Sequence, residues 1–371
     1  MIESVNLPSI HPNGPFNKIS DAHISDNYRL KFPFHIKQVD PIINQSLIKD
    51  FTGEKDGFVQ VGPKKYLFPG TFKKHAEHFY NFKARNDDIW IATYPRSGTT
   101  WTQELVWMIA NDLDYEAAQR DFLTKRSPFF EFCVFMHDKT KQMFIDEHEG
   151  NIRNQDTIRA ISVPGYEFIP NIAERRFIKT HLPFSLMPPS AMNERAKIIY
   201  VARNPKDVVV SYYHLSRLYR TTGYVNDFDQ FWDYFENDLV AWSPYWEHIK
   251  EGWAHRHEPN VLFMFYEEMN KDLPATIRKV AKFLNKSMNE EEVAKLSNYL
   301  NIENFRNNPA VNQHELREIR ILNSTEPSFV RNGKSTLKGW QKEYTPEIVE
   351  RVEKWVAKNL SDTTLRFPDF S

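Results

Sequence analysis

The chain's pattern predicts an α/β fold, a single domain whose parallel sheet is flanked by helices on both faces. Three observations predict it. Residues 88–93 form an apolar β-type run, followed by a short loop and a helix-like run at 102–109. Residues 198–202 form a second such run, followed by a basic turn and a helix-like stretch from Val208. Between them, Arg175-Arg176-Phe177-Ile178 is a third short run, closed by Lys179-Thr180-His181-Leu182-Pro183.

The elements follow in order. Residues 1–45 are rich in Pro, Asn, Ser and His without periodicity and read as an extended N-terminal arm, leaving 46–371 for the domain. Tyr66-Leu67-Phe68 and a helix at about 71–82 precede the core, which begins at Asp88. Residues 133–174 interrupt it, mixing the acidic run Asp146-Glu147-His148-Glu149 with Phe135, Met136, Met143, Phe144, Ile145, Tyr166 and Phe168. So long an insertion is either functional or a mobile excursion; its aromatic content favours a partly ordered lid. Helix-like stretches follow at about 207–221, 228–238 and 243–256, then a strand at 261–266 and helices near 271–285 and 289–299. An irregular segment covers 305–344, and a last amphipathic helix covers about 346–360, capped by Thr345 with Pro346 in its first turn.

Composition bounds the function. With 371 residues and 41% hydrophobic content, the chain can bury a sizeable core. A net charge of −1 gives no reason to expect nucleic acid or an anionic membrane as partner. The single cysteine, Cys133, excludes an internal disulfide and fits a reducing compartment. The N-terminus lacks a basic segment followed by an apolar one, and no apolar run reaches membrane-spanning length, so a cytoplasmic location is expected.

The loop Tyr94-Pro95-Arg96-Ser97-Gly98-Thr99-Thr100-Trp101 carries most of the chemistry. A strand, a short loop with Gly and hydroxyls, and a helix N-terminus present backbone N–H groups to a phosphate. A Ser/Thr-capped turn that binds nothing has the same outline. It is not the Walker A sequence, which needs G-x-x-x-x-G-K-[ST]; this opposes a P-loop kinase. His181 can accept a proton near neutral pH and stands at a strand end, where α/β sheets place their sites. Lys179 projects from the same side if the strand persists. Arg203 and Ser211 lie across a turn and into the next helix, and Arg203 suits bidentate phosphate binding.

Three segments together resemble the cytosolic sulfotransferase family: the 94–101 loop (usually TYPKSGTTW), Lys179–Pro183 (KTHLP), and the strand continuing into Arg203-Asn204-Pro205-Lys206-Asp207 (RNPKDVxVSYYH). Ser328-Phe329-Val330-Arg331-Asn332-Gly333 resembles the family's FxRKG segment. Order and spacing match from about residue 60 onward, apart from the insertion. Within the family, the insect retinol dehydratase branch is similar at residues 102–107, 186–189 and 317–322, and in having a long insertion before KTHLP.

The resemblance implies a P-loop-like phosphosulfate-binding loop, 3′-phosphoadenylyl sulfate as co-substrate, no metal, and a small apolar alcohol or phenol as acceptor. It implies His181 as general base, with Lys179 and Arg96 stabilising the transferring group. Arg96 stands where the family usually has Lys, so the charge is kept in a planar fork. Ser97, Gly98, Thr99 and Thr100 would hold the 5′-phosphate, and Trp101 and Tyr266 the adenine. Arg203 and Ser211 would hold the 3′-phosphate, with Phe329, Arg331, Asn332 and Gly333 closing the nucleotide; Asn332 replaces a Lys. At 300–305 the family's T-S-F-x-x-M is absent. Pro128-Phe129-Phe130-Glu131-Phe132 resembles PFLEF, which puts Phe129 and Phe132 in the acceptor pocket beside Lys179 and His181. The family's dimer motif, K-x-x-x-T-V-x-x-x-E, falls on Gln341, Thr345, Pro346 and Glu350, with two of its positions changed. Two alternatives stand: the dehydratase variant, in which a transient sulfate ester is eliminated, and a non-catalytic nucleotide- or lipid-binding protein.

Overall fold

The structure, a computed structural model, describes residues 30–326, 329 and 343–369. Contacts divide the chain into Met1–Lys31 and Phe32–Ser371, and the fold is that of the second unit. Its centre is a four-stranded parallel sheet of β4 (Ile89–Thr93), β5 (Phe177–Thr180), β6 (Lys197–Ala202) and β7 (Val261–Phe265), in the order β5-β4-β6-β7. Ile89 pairs with both Phe177 and Lys197, and Ile198 pairs with Val261. All five residues of β4 are buried, as expected for a parallel strand covered on both faces. Successive side chains alternate between the faces: Trp90 and Ala92 enter one apolar cluster, Ile89 and Ile91 the other. The helices Thr99–Ala110, Leu273–Phe283 and Glu290–Tyr299 cover the second cluster, whereas Phe72–Tyr80, Phe228–Glu236, Tyr245–Ala254 and Pro346–Leu360 cover the first. The α/β expectation therefore holds.

A second sheet is antiparallel: β1 (Ile36–Gln38), β2 (Phe58–Val61) and β3 (Tyr66–Pro69), in that order. Its strands are too short for a period of two to stand out. This corrects the arm boundary. Residues 36–50, partly assigned to the arm, form β1 and the helix Pro41–Asp50. Asp40 caps that helix, accepting the Ile42 N–H at 2.9 Å, with Pro41 in the first turn.

Two further boundaries move. The helix expected near 271–285 is Leu273–Phe283, with Pro274 in its first turn, and a short helix that was not expected, Tyr266–Lys271, precedes it. The segment 305–344, read as irregular, contains the end of the helix Ile302–Asn307 and the helix His314–Glu318. The last helix, Pro346–Leu360, matches its expected bounds, with Thr345 Oγ1 accepting the Ile348 N–H at 3.2 Å.

The insertion is ordered. It comprises the 3₁₀ turn Phe132–Phe135 and the helices Asp138–Asp146, Ile152–Ile161 and Gly165–Phe168. Phe144, Ile158 and Ile169 are fully buried. Thr140 Oγ1 donates to the Gly53 carbonyl at 3.1 Å. Arg220 forms a bidentate pair with Glu147 and lies 5.0 Å from the Phe144 ring centre. Tyr166 stacks on His78 at 4.6 Å. Excising the insertion would open the core, so a point change probes it better. A Cβ on Gly165 would stand 2.4 Å from the Phe130 carbonyl oxygen, a backbone atom that cannot swing away. Gly165→Ala is expected to lower stability by about 1–3 kcal/mol, the usual cost of overpacking. Thermal unfolding measures it, and an unchanged Tm would show that the insertion is not seated on Phe130.

Candidate active site

The C-terminal ends of all four parallel strands converge on one edge, each contributing a segment that follows its last residue. After β4, the chain turns through residues 94–98 into the helix Thr99–Ala110. Gly98 caps that helix at φ +97°, and a Cβ there would lie 2.7 Å from the Tyr266 ring. Both facts require glycine. Arg96 also adopts a left-handed conformation, φ 68°. Its Nε donates to Ser211 Oγ at 2.8 Å, and its guanidinium lies 5.0 Å from the Phe329 ring centre.

After β6, Arg203 donates to the Arg96 carbonyl at 3.1 Å, and its guanidinium stands 4.3 Å from the Tyr266 ring centre. Arg203 and Ser211 thus both meet Arg96. Beside Arg203, Glu267 accepts the Asn204 N–H at 2.7 Å, and burial pushes its carboxyl up to about 7. Tyr266 does not end β7, as the sequence suggests; β7 stops at Phe265 and Tyr266 opens the next helix. Trp101 and Tyr266 are both partly exposed, with ring centres 5.9 Å apart, and Trp101 Nε1 donates to the Leu300 carbonyl at 2.9 Å. Thr99 is buried, its hydroxyl 2.7 Å from that of Thr93, and Thr100 is partly exposed. Ser97 Oγ and Arg203 Nε are buried polar atoms without a hydrogen-bond partner among the described residues.

β5 ends at Thr180, so His181 lies one residue beyond the strand. Its ring Nδ1 is 2.8 Å from the Thr93 carbonyl oxygen and 3.2 Å from Thr93 Oγ1. Its backbone N–H donates to Glu131 at 2.6 Å, and its carbonyl accepts from His248 Nε2 at 2.9 Å. His248 Nδ1 is 2.7 Å from the Tyr200 hydroxyl. Burial, then the neighbouring Lys179, holds the His181 imidazole well below its ordinary value. Lys179 is half-buried, with Nζ 4.2 Å from the Phe129 ring centre. Desolvation lowers its ammonium to about 8 against the opposing pull of Glu131. The rings of Phe129 and Trp242 each stand 5.1 Å from the His181 ring, with Phe135 4.7 Å from Trp242 and Phe132 6.0 Å from Phe129.

A family model described as the sulfotransferase domain matches residues 86–364. The chain belongs to the sulfotransferase family. It is a sulfotransferase, an enzyme, with the parallel-sheet fold of that family. Two solved structures of retinol dehydratase are similar to it. One, in complex with androsterone and inactive cofactor PAP, is 39% identical with a TM-score of 0.84, covering 91% of this chain and 99% of that one. The other, in complex with retinol and PAP, is 38% identical with a TM-score of 0.84, covering 91% and 100%. The luciferin sulfotransferase of Photinus pyralis is 37% identical over 333 residues, 88% of this chain and 85% of that protein.

The geometry of this sulfotransferase brings together Arg96, Ser97, Gly98, Lys179, His181, Arg203, Ser211, Tyr266, Phe129 and Phe329. Arg331, Asn332 and Gly333 lie outside the described residues, as does Gln341 of the dimer motif. Thr345 and Glu350 have partners within the chain, Thr345 as the helix cap and Glu350 pairing with Lys354. Among the described residues, no group of three or more His, Cys, Asp or Glu could hold a metal, and no helix is long and apolar enough to cross a membrane.

Sequence reasoning missed Thr93, Glu131, Trp242 and His248. Thr93 and Glu131 stood inside quoted motifs, but their partners are 88 and 50 residues away. Trp242 is held by tertiary pairing: its N–H donates to the Leu67 carbonyl of β3 at 2.8 Å, at φ 64°. No local pattern announces that.

Proposed function

We propose that this sulfotransferase moves the sulfuryl group from 3′-phosphoadenylyl sulfate to the hydroxyl of a small apolar alcohol or phenol, with His181 as general base. One observation carries the role of His181. A carbonyl oxygen can only accept, so the contact with Thr93 places the proton on Nδ1 and leaves the Nε2 lone pair to take the acceptor's proton. The depressed pKa keeps that ring neutral, as a base must be. Lys179 supplies positive charge two residues away, for the negative charge that develops on the leaving oxygen.

The donor fits the residues present. Among the described residues, buried Ser97 Oγ and Arg203 Nε each lack a partner that a phosphate oxygen would supply. The loop amides of Ser97, Gly98, Thr99 and Thr100 at a helix N-terminus suit the 5′-phosphate, with Arg96 beside them. Ser211 accepts from Arg96, so its own hydroxyl proton is available to the 3′-phosphate alongside Arg203. Trp101 and Tyr266 offer faces to the adenine, and Phe329 borders the site. Bound, the co-substrate contributes the activated sulfuryl group; the chain positions it, excludes water and moves the proton. Phe129, Phe132, Phe135 and Trp242 form an apolar wall beside His181, which supports an apolar acceptor. A cytoplasmic location belongs to the same reading and rests on the lone, buried Cys133.

The test is mass spectrometry of products from a panel of phenols, sterols and retinol, incubated with the sulfated donor. Sulfate esters of apolar acceptors are expected, and donor left unconsumed with every acceptor would overturn the reading. Similarity to the retinol dehydratase structures favours a second reading, in which the ester of a polyene alcohol is eliminated. A dehydrated product from retinol alone would favour it.

The pH dependence has a definite sign. Lys179 acts as a cation, so kcat/KM for an alcohol acceptor, which does not itself titrate here, is expected to fall as pH rises through about 8. His181 is active when neutral, and its lowered pKa keeps it so through pH 6.5. A pH–rate profile with no alkaline loss near 8 would contradict the cationic role of Lys179.

A further inference from the structure

Glu131 was read only as part of an aromatic segment, yet it is fully buried. One oxygen of its carboxylate accepts the His181 N–H at 2.6 Å, and the other accepts the Thr180 hydroxyl at 2.9 Å. Thr180 Oγ1 in turn accepts the Leu182 N–H at 3.0 Å. The carboxylate therefore stitches together the turn that follows β5. The same segment also pins Lys179. The Lys179 N–H donates to the Pro128 carbonyl and the Phe130 N–H to the Lys179 carbonyl, both at 2.9 Å. Phe129, between them, lies under the Lys179 ammonium. One short segment, 128–131, fixes both residues of the proposed chemistry relative to each other.

We infer that Glu131 is a positioning residue for sulfuryl transfer, holding the His181 turn in register with Lys179 and placing a buried carboxylate in the segment that pins Lys179. The inference rests on the roles proposed above for Lys179 and His181.

Two donors, the His181 N–H and the Thr180 hydroxyl, converge on this carboxylate. A glutamine offers the same shape and could accept one of them through its single oxygen, without placing a charge away from water. It lacks the second acceptor and the charge. Lys179 faces two cationic or proton-binding neighbours, Arg96 and His181, and one anion, Glu131. Around Glu131 stand Lys179, the His181 N–H and the Cys133 thiol. Glu131 is thus the acid that opposes desolvation and Arg96 at the Lys179 ammonium. Burial pushes its own carboxyl up to about 7, so it is charged in the pH range where Lys179, at about 8, begins to lose its proton.

The experiment compares Glu131→Gln and Glu131→Ala with the wild type, measuring binding of 3′-phosphoadenosine 5′-phosphate and kcat/KM against pH with an alcohol acceptor. For Glu131→Gln we expect unchanged nucleotide binding and a rate about 10- to 100-fold lower, the scale of a small misplacement. Its alkaline limb should move down by about one pH unit, because the carboxylate no longer raises the Lys179 pKa. Glu131→Ala should lose more rate; if it does not fold, the glutamine variant decides alone. A near-normal rate overturns the inference, as does a lower rate with an unmoved limb, which would make Glu131 a packing residue. Loss of nucleotide binding in Glu131→Gln overturns it as well. Lys179→Ala and His181→Ala separate the two levels. If both keep turnover, the proposed chemistry is wrong; if both are inactive while Glu131→Gln is normal, only the positioning role falls.

Discussion

His181→Ala is expected to reduce turnover by about 10²–10⁴-fold, the usual contribution of a positioned general base, while 3′-phosphoadenosine 5′-phosphate still binds. The separation follows from geometry. The His181 ring meets Thr93, Phe129 and Trp242, beside the apolar wall proposed for the acceptor. The buried polar atoms without a partner among the described residues, which suit phosphate, belong to Ser97 and Arg203, on other strand ends. The backbone anchors to Glu131 and His248 survive the substitution, because they use the His181 N–H and carbonyl rather than its ring. Single-turnover kinetics with saturating donor, alongside calorimetry with 3′-phosphoadenosine 5′-phosphate, measures both quantities. Near-normal turnover would place the base elsewhere. Loss of nucleotide binding as well would make the residue structural.

The second large effect concerns the nucleotide. The protein is expected to bind 3′-phosphoadenosine 5′-phosphate tightly and ATP poorly, with a gap on the order of 2–5 kcal/mol. Arg203 is buried, stacked on Tyr266, with its Nε unpartnered among the described residues. Such a cation gains from a 3′-phosphate and stays unsatisfied by a 3′-hydroxyl. Arg203→Ala should close most of the gap by weakening the bisphosphate alone. Calorimetry with both ligands, on both proteins, decides it. Comparable affinities in the wild type would remove the 3′-phosphate from the argument.

Much of this protein was legible in its sequence because the signals are local. Residues 88–93 and 198–202 are near-continuous apolar runs, and that is how a strand buried on both faces must look. The cap at Thr345 marks a helix start through a side chain three residues from the N–H it satisfies. The 94–101 loop, Lys179, His181, Arg203 and Ser211 stand in segments whose order and spacing resemble one family. The placement of β1 to β3 was not legible, because strands of three or four residues show no period to detect and β1 finds its partner beyond an intervening helix, Ile36 opposite Val61.

The sequence alone therefore determined the parallel sheet and the strand–loop–helix at residues 88–109, since each depends on neighbours a few positions away. Only the tertiary structure decided the surroundings of His181. Its tautomer is set by the Thr93 carbonyl on β4, its backbone by Glu131 and His248, and its apolar wall by Trp242, whose N–H is held by β3. Those partners are separated by tens of residues along the chain and meet because four parallel strands end at the same edge. The insertion likewise became ordered structure through Phe144 and Ile158 in the core and the Glu147–Arg220 pair, contacts that composition cannot foretell because they depend on what lies opposite.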